Sequence, residues 1–219
     1  MAERMPDEFE ASIEEVGDLF LDAFHREPGR YGFPLQMVQQ LRRQANLQRP
    51  SSVAPVRLID RSVVGDYAFA LWNRALGNLN AVDWQLYLEQ AGPIQHLVPS
   101  DGLHMVVWLN DDAASCLLRR RRRDSTVPAD ADAYMRGLEV THMLVLARLP
   151  KSVPVTEWQW REYARQGSDK DIQWLAERFR SIPDRPPSEL PQRARRALDE
   201  LECDRDVKGF LVEWFDDGE

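Results

Sequence analysis

Apolar residues in the first quarter of this chain recur at the spacing of amphipathic helices. Residues 12–25 and 34–47 carry apolar positions three and four apart, which predicts two helices. The stretch REPGRYG at 26–32 lies between them and contains one proline and two glycines, which predicts a loop. The chain is therefore predicted to open with two helices joined by a loop.

Three short apolar runs further along the chain predict buried strands. They lie at 53–59, 103–109 and 152–158, and Pro55 weakens the first of them. Helical spacing predicts helices between and after these strands, at 62–77, 80–90, from Asp111 or Asp112 to Arg123, 130–147, 170–181, 190–202 and 205–215. Strands that alternate with helices are typical of an α/β fold with a parallel sheet.

Polar residues follow directly after two of the predicted strands. Asp60 and Arg61 come after the first run, and Asn110 and Asp111 come after the second. Ligands of parallel α/β sheets bind at the carboxyl ends of the strands, so these residues are candidates for a site. The alternative for Asp60, Arg61 and Ser62 is a strand end with a helix cap and a structural ion pair.

Composition limits the function classes that this chain can belong to. Its 219 residues are 43% hydrophobic and 29% charged, which predicts a single globular domain. The formal net charge of −8 argues against general affinity for nucleic acids or membranes. The exception is the arginine run 119–123, which predicts contact with phosphate, nucleic acid or an acidic partner, or else a solvated helix end.

The chain carries no signal for a membrane, an export pathway or a metal site. No apolar run approaches the length of a membrane span, and the acidic N-terminus is unlike a signal peptide. The two cysteines, Cys116 and Cys203, lack metal-binding spacing and predict reduced thiols. We therefore expect an intracellular, reducing compartment, either the cytoplasm or an assembly in a virion or organelle.

Four motifs in order give a more specific picture. They are REPGRYGFPLQ (26–36), IDRSVVGDYAFA (59–70), VDWQLYLEQ (82–90) and CLLRRRRR (116–123). In order and spacing they resemble the motifs of the deoxynucleoside kinase family, which phosphorylates deoxycytidine, deoxyguanosine and deoxyadenosine. The resemblance covers about 19–146, between an acidic segment at 1–16 and a divergent helical region at 152–219.

The resemblance implies a nucleoside site on the first half of the chain. Gln36 would bond the Watson–Crick edge of a nucleobase, and Arg43 and Asp66 would form the polar pair beside that base. His25 stands where many members have a tyrosine that bonds the sugar 3′-hydroxyl. The alternative for Gln36, Arg43 and Asp66 is that they belong to solvated helix faces.

The resemblance also implies residues that handle phosphate. Arg61 would hold the 5′ oxygen or the transferring phosphoryl group, and Asp60 would lie near the metal and phosphates. Arg119 and Arg123 match arginines of a lid that closes over phosphates, and Asp124 matches a carboxylate of that lid. Arginines suit this role because phosphoryl transfer needs the charge of the moving group to be neutralised.

The family's phosphate-binding loop has no counterpart among these residues. Family members begin with a strand, then Gly-x-x-Gly-x-Gly-Lys-Ser/Thr, then a helix, whereas here no lysine precedes residue 151. Met1 aligns with the start of the family's second strand, whose terminal general base would fall near Asp7 and Glu8. We therefore expect a kinase-like α/β fold with a reduced parallel sheet that lacks its first strand and phosphate loop.

These expectations lead to two hypotheses about function. The first is a degenerate, non-catalytic deoxynucleoside-kinase-like protein with a binding or structural role in an assembly, such as a viral structural subunit. Its partners would be another protein or further copies of the chain, together with a deoxynucleoside, and it would need no cofactor or metal. The alternative is an active kinase that transfers phosphate from ATP, with magnesium, to the 5′-hydroxyl of a deoxynucleoside.

Overall fold

The computed structural model of the chain describes residues 7, 9–12, 19–48, 56–92, 105–123, 131–159, 173, 176–177 and 189–217. Contacts between residues divide the chain into two compact units, Met1–Gly102 and Leu103–Glu219. Among the described residues, each unit has one two-stranded parallel sheet and several helices. The predicted α/β fold with a reduced parallel sheet is therefore confirmed.

The described part of unit 1 contains two strands and four helices. The strands are β1 (Phe9–Ser12) and β2 (Val56–Ile59), paired in parallel with Phe9 opposite Val56 and Ser12 opposite Ile59. The helices are α1 (Leu19–Arg26), α2 (Pro28–Gln48), α3 (Val63–Ala75) and α4 (Ala81–Ala91). Helix α3 is the core of this unit, because it contacts α2 and α4 and buries Ala68, Ala70 and Leu71 completely.

The predicted helix starts of α3 and α4 are confirmed by their caps. Ser62 precedes α3, and its hydroxyl accepts a hydrogen bond from the Val64 N–H at 3.3 Å. Asn80 precedes α4 and forms a capping box with Asp83, in which each side chain accepts a hydrogen bond from the other residue's N–H. The sequence pattern placed both helices correctly because a capping side chain marks each start.

Two predictions for the start of the chain are wrong. Ser12, the first residue of the helix predicted over 12–25, instead closes strand β1, which was not predicted, and the described part of that helix is Leu19–Arg26. The loop predicted at 26–32 is largely helix, since α2 begins at Pro28. Proline suits this first helical position, where its missing N–H would have no helical partner.

Gly32 occupies a position in α2 that has no room for a side chain. A Cβ atom added there would lie 2.9 Å from the Asn78 carbonyl oxygen, a distance too short for real contacts. Glycine therefore lets the helix approach the chain segment between α3 and α4, and is not the sign of a turn.

The described part of unit 2 contains two strands and four helices, besides the helical residues 173 and 176–177. The strands are β3 (Val106–Asn110) and β4 (Val155–Gln159), paired in parallel with Val106 opposite Val155 and Asn110 opposite Gln159. The helices are α5 (Ala113–Arg123), α6 (Ala131–Ala147), α7 (Leu190–Glu200) and α8 (Arg205–Asp216). Helix α6 contacts α5 and α7 and is buried along most of its length.

Side chains of α7 and α8 attach the end of the chain to unit 2. The Arg193 guanidinium on α7 forms an ion pair with Glu157 of β4. The Arg148 guanidinium lies 4.3 Å from the ring centroid of Trp214 on α8, and its Nη1 donates to the Trp214 carbonyl at 2.5 Å. These contacts fix both helices to the sheet and to the end of α6.

Parts of other predicted elements lie outside the described residues. These are 53–55 and 103–104 of two predicted strands, 13–18 of the first helix, and most of 170–181, where residues 173 and 176–177 are helical. Among the described residues β2 pairs with β1 and β3 pairs with β4, so each sheet has only two strands there. No described helix is both long and apolar enough to cross a membrane.

Candidate functional site

One face of helix α2 carries a buried row of polar side chains. Gln36, Gln40 and Arg43 are four and three residues apart, so they project from the same side of the helix. They are only 4%, 0% and 6% exposed. The alternative of solvated helix faces is therefore wrong for Gln36 and Arg43.

The Arg43 guanidinium is neutralised by a buried carboxylate on α3. Its Nε donates to Oδ2 of Asp66 at 2.7 Å, and the two side chains are 6% and 5% exposed. The position of Asp66 follows from the start of α3, since its N–H donates to the Ser62 carbonyl at 3.2 Å. The two residues assigned to the polar pair are thus brought together in the core of unit 1.

The same guanidinium also faces the end of strand β2. Nη1 of Arg43 lies 3.4 Å from the carbonyl oxygen of Arg61 and 3.5 Å from that of Asp60. Across the sheet, the Asp60 N–H donates to the Ser12 carbonyl at the end of β1, at 2.9 Å. The strand end is therefore held by α2 on one side and by β1 on the other.

Arg61 adopts an unusual backbone conformation at this strand end. Its φ is 57°, and it is the one non-glycine residue in the described part of the chain with a positive φ. Its side chain is exposed, and the guanidinium lies 5.1 Å from the centroid of the Phe69 ring. Asp60 is also exposed, so both residues that the resemblance would place at the phosphates are open to solvent in this structure.

Three aromatic residues pack together beside the polar row. Tyr67 of α3 meets Trp84 and Tyr87 of α4 edge to face, and the rings of Trp84 and Tyr87 stack with centroids 5.7 Å apart. The Tyr87 hydroxyl donates to Oε1 of Gln40 at 3.5 Å. Burial raises the pKa of Tyr87 well above its ordinary value, and the nearby Asp66 charge raises it further. Tyr87 therefore stays neutral and available as a hydrogen-bond donor.

Gln40 is a polar residue that the motifs did not single out. Its Nε2 is buried and has no hydrogen-bond partner among the described residues. A buried amide nitrogen without a partner costs about 1–3 kcal/mol, so such groups call for an explanation. The signal was present in the sequence, because Gln40 continues the spacing that joins Gln36 to Arg43 on one helix face.

Two residues named from the resemblance lie apart from this buried group. His25 is exposed in the last turn of α1, and its ring centroid is 5.7 Å from that of Phe24. Asp7 precedes β1 and so stands at the opposite end of that strand from Asp60. A base that follows the strand cannot be Asp7, so that prediction is wrong, and Glu8 lies outside the described residues.

The lid arginines belong to unit 2. Arg119 of α5 forms an ion pair with Asp111, which follows β3, and its Nη2 contacts the Cys116 sulfur at 3.0 Å. The Arg119 and Asp111 side chains are 22% and 14% exposed, so this pair is partly buried. Burial raises the pKa of the Cys116 thiol, which keeps it protonated.

Part of the remaining arginine run is open to solvent, while Arg120 is half-buried. Arg121 and Arg122 are exposed, Arg123 is the last residue of α5, and Asp124 lies outside the described residues. Within the ranges that the structure describes, no three His, Cys, Asp or Glu side chains form a group that could hold a metal ion. Unit 2 therefore carries exposed basic side chains near the end of α5.

Comparison with known families identifies the group to which these features belong. A sequence model of the deoxynucleoside kinase family matches residues 2–178. The chain belongs to the deoxynucleoside kinase family. The match includes all of the described part of unit 1 and the sheet of unit 2, and it ends before α7 and α8. A search of curated proteins finds no match to the chain.

Family membership confirms the resemblance that the four motifs indicated. The match is also longer than the predicted region 19–146, because it includes strand β1 and strand β4.

Proposed function

We propose that this chain binds a deoxynucleoside in the buried polar group of unit 1 and does not itself transfer phosphate to it. The observation that carries the proposal is the Arg43–Asp66 pair, at 2.7 Å and almost fully buried. An amide and a guanidinium–carboxylate pair present donors and acceptors in fixed directions, as the edge of a nucleobase requires.

The burial of this pair needs a reason other than stability. Removing two charges from water costs several kcal/mol per ion, and apolar side chains of similar volume stabilise a core equally well or better. Evolution of a stable helix pair would therefore not require Arg43 and Asp66. Recognition of a polar ligand supplies a reason for both charges, and Gln36 on the same helix face extends the polar surface.

Binding of a phosphate donor such as ATP has less support in this chain than binding of a nucleoside. The 219 residues contain no Gly-x-x-Gly-x-Gly-Lys sequence, and Arg119 is already neutralised by Asp111. Removing a single preorganised hydrogen-bond donor raises the free energy of an anionic transition state by about 3–4 kcal/mol. A complete phosphate-binding loop provides several such donors. We therefore assign this chain a binding or structural role in an assembly and no cofactor.

Partners of such an assembly would be another protein or further copies of this chain. Each described sheet has only two strands, and a strand edge with free N–H and C=O groups can pair with another strand. The free thiols Cys116 and Cys203 fit a reducing intracellular compartment. An active kinase that uses ATP and magnesium remains the alternative, favoured by the exposed Arg61 at the strand end.

Titration calorimetry with the four deoxynucleosides tests the binding proposal. We expect one of them to bind, and Gln36→Leu to weaken that binding about tenfold or more, because it removes a buried hydrogen-bonding amide. Gln44→Leu on the same helix is the matched control, since Gln44 makes its hydrogen bonds to Gln90 on an exposed surface. Absence of binding for all four deoxynucleosides would overturn the proposal.

Incubation with labelled ATP, magnesium and the deoxynucleosides tests the proposal that the chain does not transfer phosphate. We expect no labelled monophosphate above the level given by Arg61→Ala. A labelled product that the wild-type chain forms and Arg61→Ala does not would establish the active-kinase alternative.

A further inference from the structure

The Arg43 guanidinium makes contacts in two directions. Nε is bound to the Asp66 carboxylate, and Nη1 faces the carbonyl oxygens of Asp60 and Arg61. A guanidinium is planar and rigid, so fixing Nε also fixes the position of Nη1. The nucleobase side of the proposed site and the strand end are therefore connected by one side chain.

The contacts at Nη1 are electrostatic in character. At 3.4 and 3.5 Å they are longer than ordinary hydrogen bonds, but a cation faces the negative ends of two carbonyl dipoles. Such attraction is stronger at a buried position than in water, because the effective dielectric constant is lower there. Arg43 is 6% exposed, so its charge acts at such a position.

Arg61 needs support of this kind to keep its conformation. Its φ of 57° lies in the left-handed region, which side chains with a Cβ atom rarely adopt. Residues remain in such conformations where the surrounding structure holds them, often at functional sites. Here the chain is held on both sides of the bend, by the Asp60 N–H bond to Ser12 and by the Ser62 cap of α3, while Arg43 faces the carbonyls between them.

We infer that Arg43 is a positioning residue that sets the orientation of Arg61 toward the 5′ end of the bound deoxynucleoside. This inference rests on the proposed function, because it assigns the strand end to the same ligand as the buried polar group. Arg43 then has two roles, one beside the nucleobase and one at the 5′ group. A substitution at Arg43 that keeps its charge should affect both.

The first test compares a deoxynucleoside with its 5′-monophosphate. The ratio of their dissociation constants isolates the contact with the 5′ phosphate, because both ligands share the same base and sugar. Lysine at position 43 keeps the charge near Asp66 but lacks the second branch that reaches the carbonyls. We expect Arg43→Lys to reduce the preference for the monophosphate by about fivefold, a loss of roughly 1 kcal/mol.

Three further variants serve as controls for the ratio of the two dissociation constants. Arg61→Ala should abolish the preference for the monophosphate. Gln36→Leu should weaken both ligands equally and leave the ratio unchanged, because it acts at the base alone. Arg42→Lys is the matched control, since Arg42 is exposed on the same helix. A ratio that Arg43→Lys leaves unchanged would overturn the inference.

The second test needs no ligand. Glycine adopts a positive φ freely, so Arg61→Gly removes the need for support at the strand end. We expect Arg43→Lys to lower the melting temperature by about 5 °C in the wild-type background and by less than half of that in the Arg61→Gly background. Equal losses in the two backgrounds would overturn the positioning role.

The two tests separate this inference from the proposed function. If the wild-type chain binds neither ligand, the proposed function is wrong, and the melting temperatures alone decide whether Arg43 holds the strand end. If the ligands bind but the ratio does not respond to Arg43→Lys, the proposed function stands and the inference is wrong.

Discussion

Two arginine–aspartate pairs, one in each unit, show how differently the same chemistry can be used. Arg43 and Asp66 in unit 1 are about 95% buried, and the guanidinium also faces two main-chain carbonyls. Arg119 and Asp111 in unit 2 are partly open to solvent and lie at the start of a solvated arginine run. Burial, rather than the number of charges, therefore distinguishes the candidate site.

The comparison shows that the most conspicuous charges in the sequence are not the most buried ones. Five consecutive arginines at 119–123 are the most conspicuous charge feature of the chain, whereas Arg43 is a single residue in a polar helix. An exposed cation gains little from a partner because water already solvates it, and a buried one must be paired. The single buried Arg43 is therefore a stronger indication of a functional site than the exposed arginine run.

Removing one carboxylate from each pair should give the largest effect and the sharpest contrast. Asp66→Ala leaves a buried charge without its partner and should lower the free energy of unfolding by about 3–5 kcal/mol. Asp111→Ala should lower it by about 1 kcal/mol or less, because Arg119 can turn toward water. Urea unfolding measures both values.

Asp132→Ala provides the exposed reference for this experiment. Asp132 pairs with Arg136 at 2.9 Å, with side chains 41% and 59% exposed. Its loss should cost less than about 0.5 kcal/mol, the value typical of surface pairs on one helix. Similar losses for Asp66→Ala and Asp111→Ala would remove the distinction between the two units.

The backbone at Arg61 should give the next largest effect. Arg61→Ala and Arg61→Gly both lose the contact with the Phe69 ring, so they differ in how they tolerate a φ of 57° and, in the opposite direction and by less, in the freedom that glycine has in the unfolded chain. We expect the glycine variant to be more stable than the alanine variant by about 1–2 kcal/mol. Equal stabilities in urea unfolding would show that the strand end relaxes to an ordinary conformation.

Asp112, the second of the two acids that follow β3, should make the stability of the fold depend on pH. Asp112 accepts hydrogen bonds from the Ser115 N–H and hydroxyl at 2.7 and 2.8 Å, whereas Asp111 pairs with Arg119. The bonds from Ser115 lower the pKa of Asp112 below its ordinary value of 3.8. Asp112→Ala should cost about 1 kcal/mol at neutral pH, as loss of a helix N-cap does.

The sign of the pH effect follows from the lowered pKa of Asp112. The ionised carboxylate stabilises the folded state above its ordinary pKa of 3.8, and this stability is lost as the pH falls through the lower folded value. Asp112→Asn keeps a capping oxygen that does not titrate, so it should be stable at neutral pH and lose less stability below pH 3.8. An identical acid response in the wild type and Asp112→Asn would exclude a contribution of the Asp112 carboxylate to the loss of stability in acid.

Much of the fold was predictable because local signals agreed with the tertiary structure. The starts of α3 and α4 carry capping side chains, and β2 and β3 are apolar runs. Strand β1 was missed although its four residues, FEAS, alternate between apolar and polar positions, because four residues are the shortest stretch that such alternation can mark and only Phe9 among them is a large apolar residue. Its place depends on pairing with β2, which no local pattern reveals.

The candidate site was predictable in its residues but not in its geometry. The motifs indicated Gln36, Arg43 and Asp66, but only the packing of α2 on α3 shows that the last two are paired and buried. The two carbonyl contacts of Arg43 could not be predicted either, because they depend on the main chain rather than on side-chain types. Gln40 was missed since a glutamine in a polar helix resembles a solvated residue.

The smallest predicted effect concerns the solvated part of the arginine run. Arg121 is exposed near the end of α5, where a cation interacts with the helix dipole. Arg121→Gln should lower the free energy of unfolding by about 0.3 kcal/mol at low ionic strength. In about 0.5 M salt the difference should disappear, because screening is effective for exposed charges. Urea unfolding at both ionic strengths measures this.

A loss above about 1 kcal/mol that salt does not change would mean that Arg121 has a buried partner, since only buried pairs escape screening. In that case the arginine run would resemble Arg43, and burial would no longer distinguish the two units.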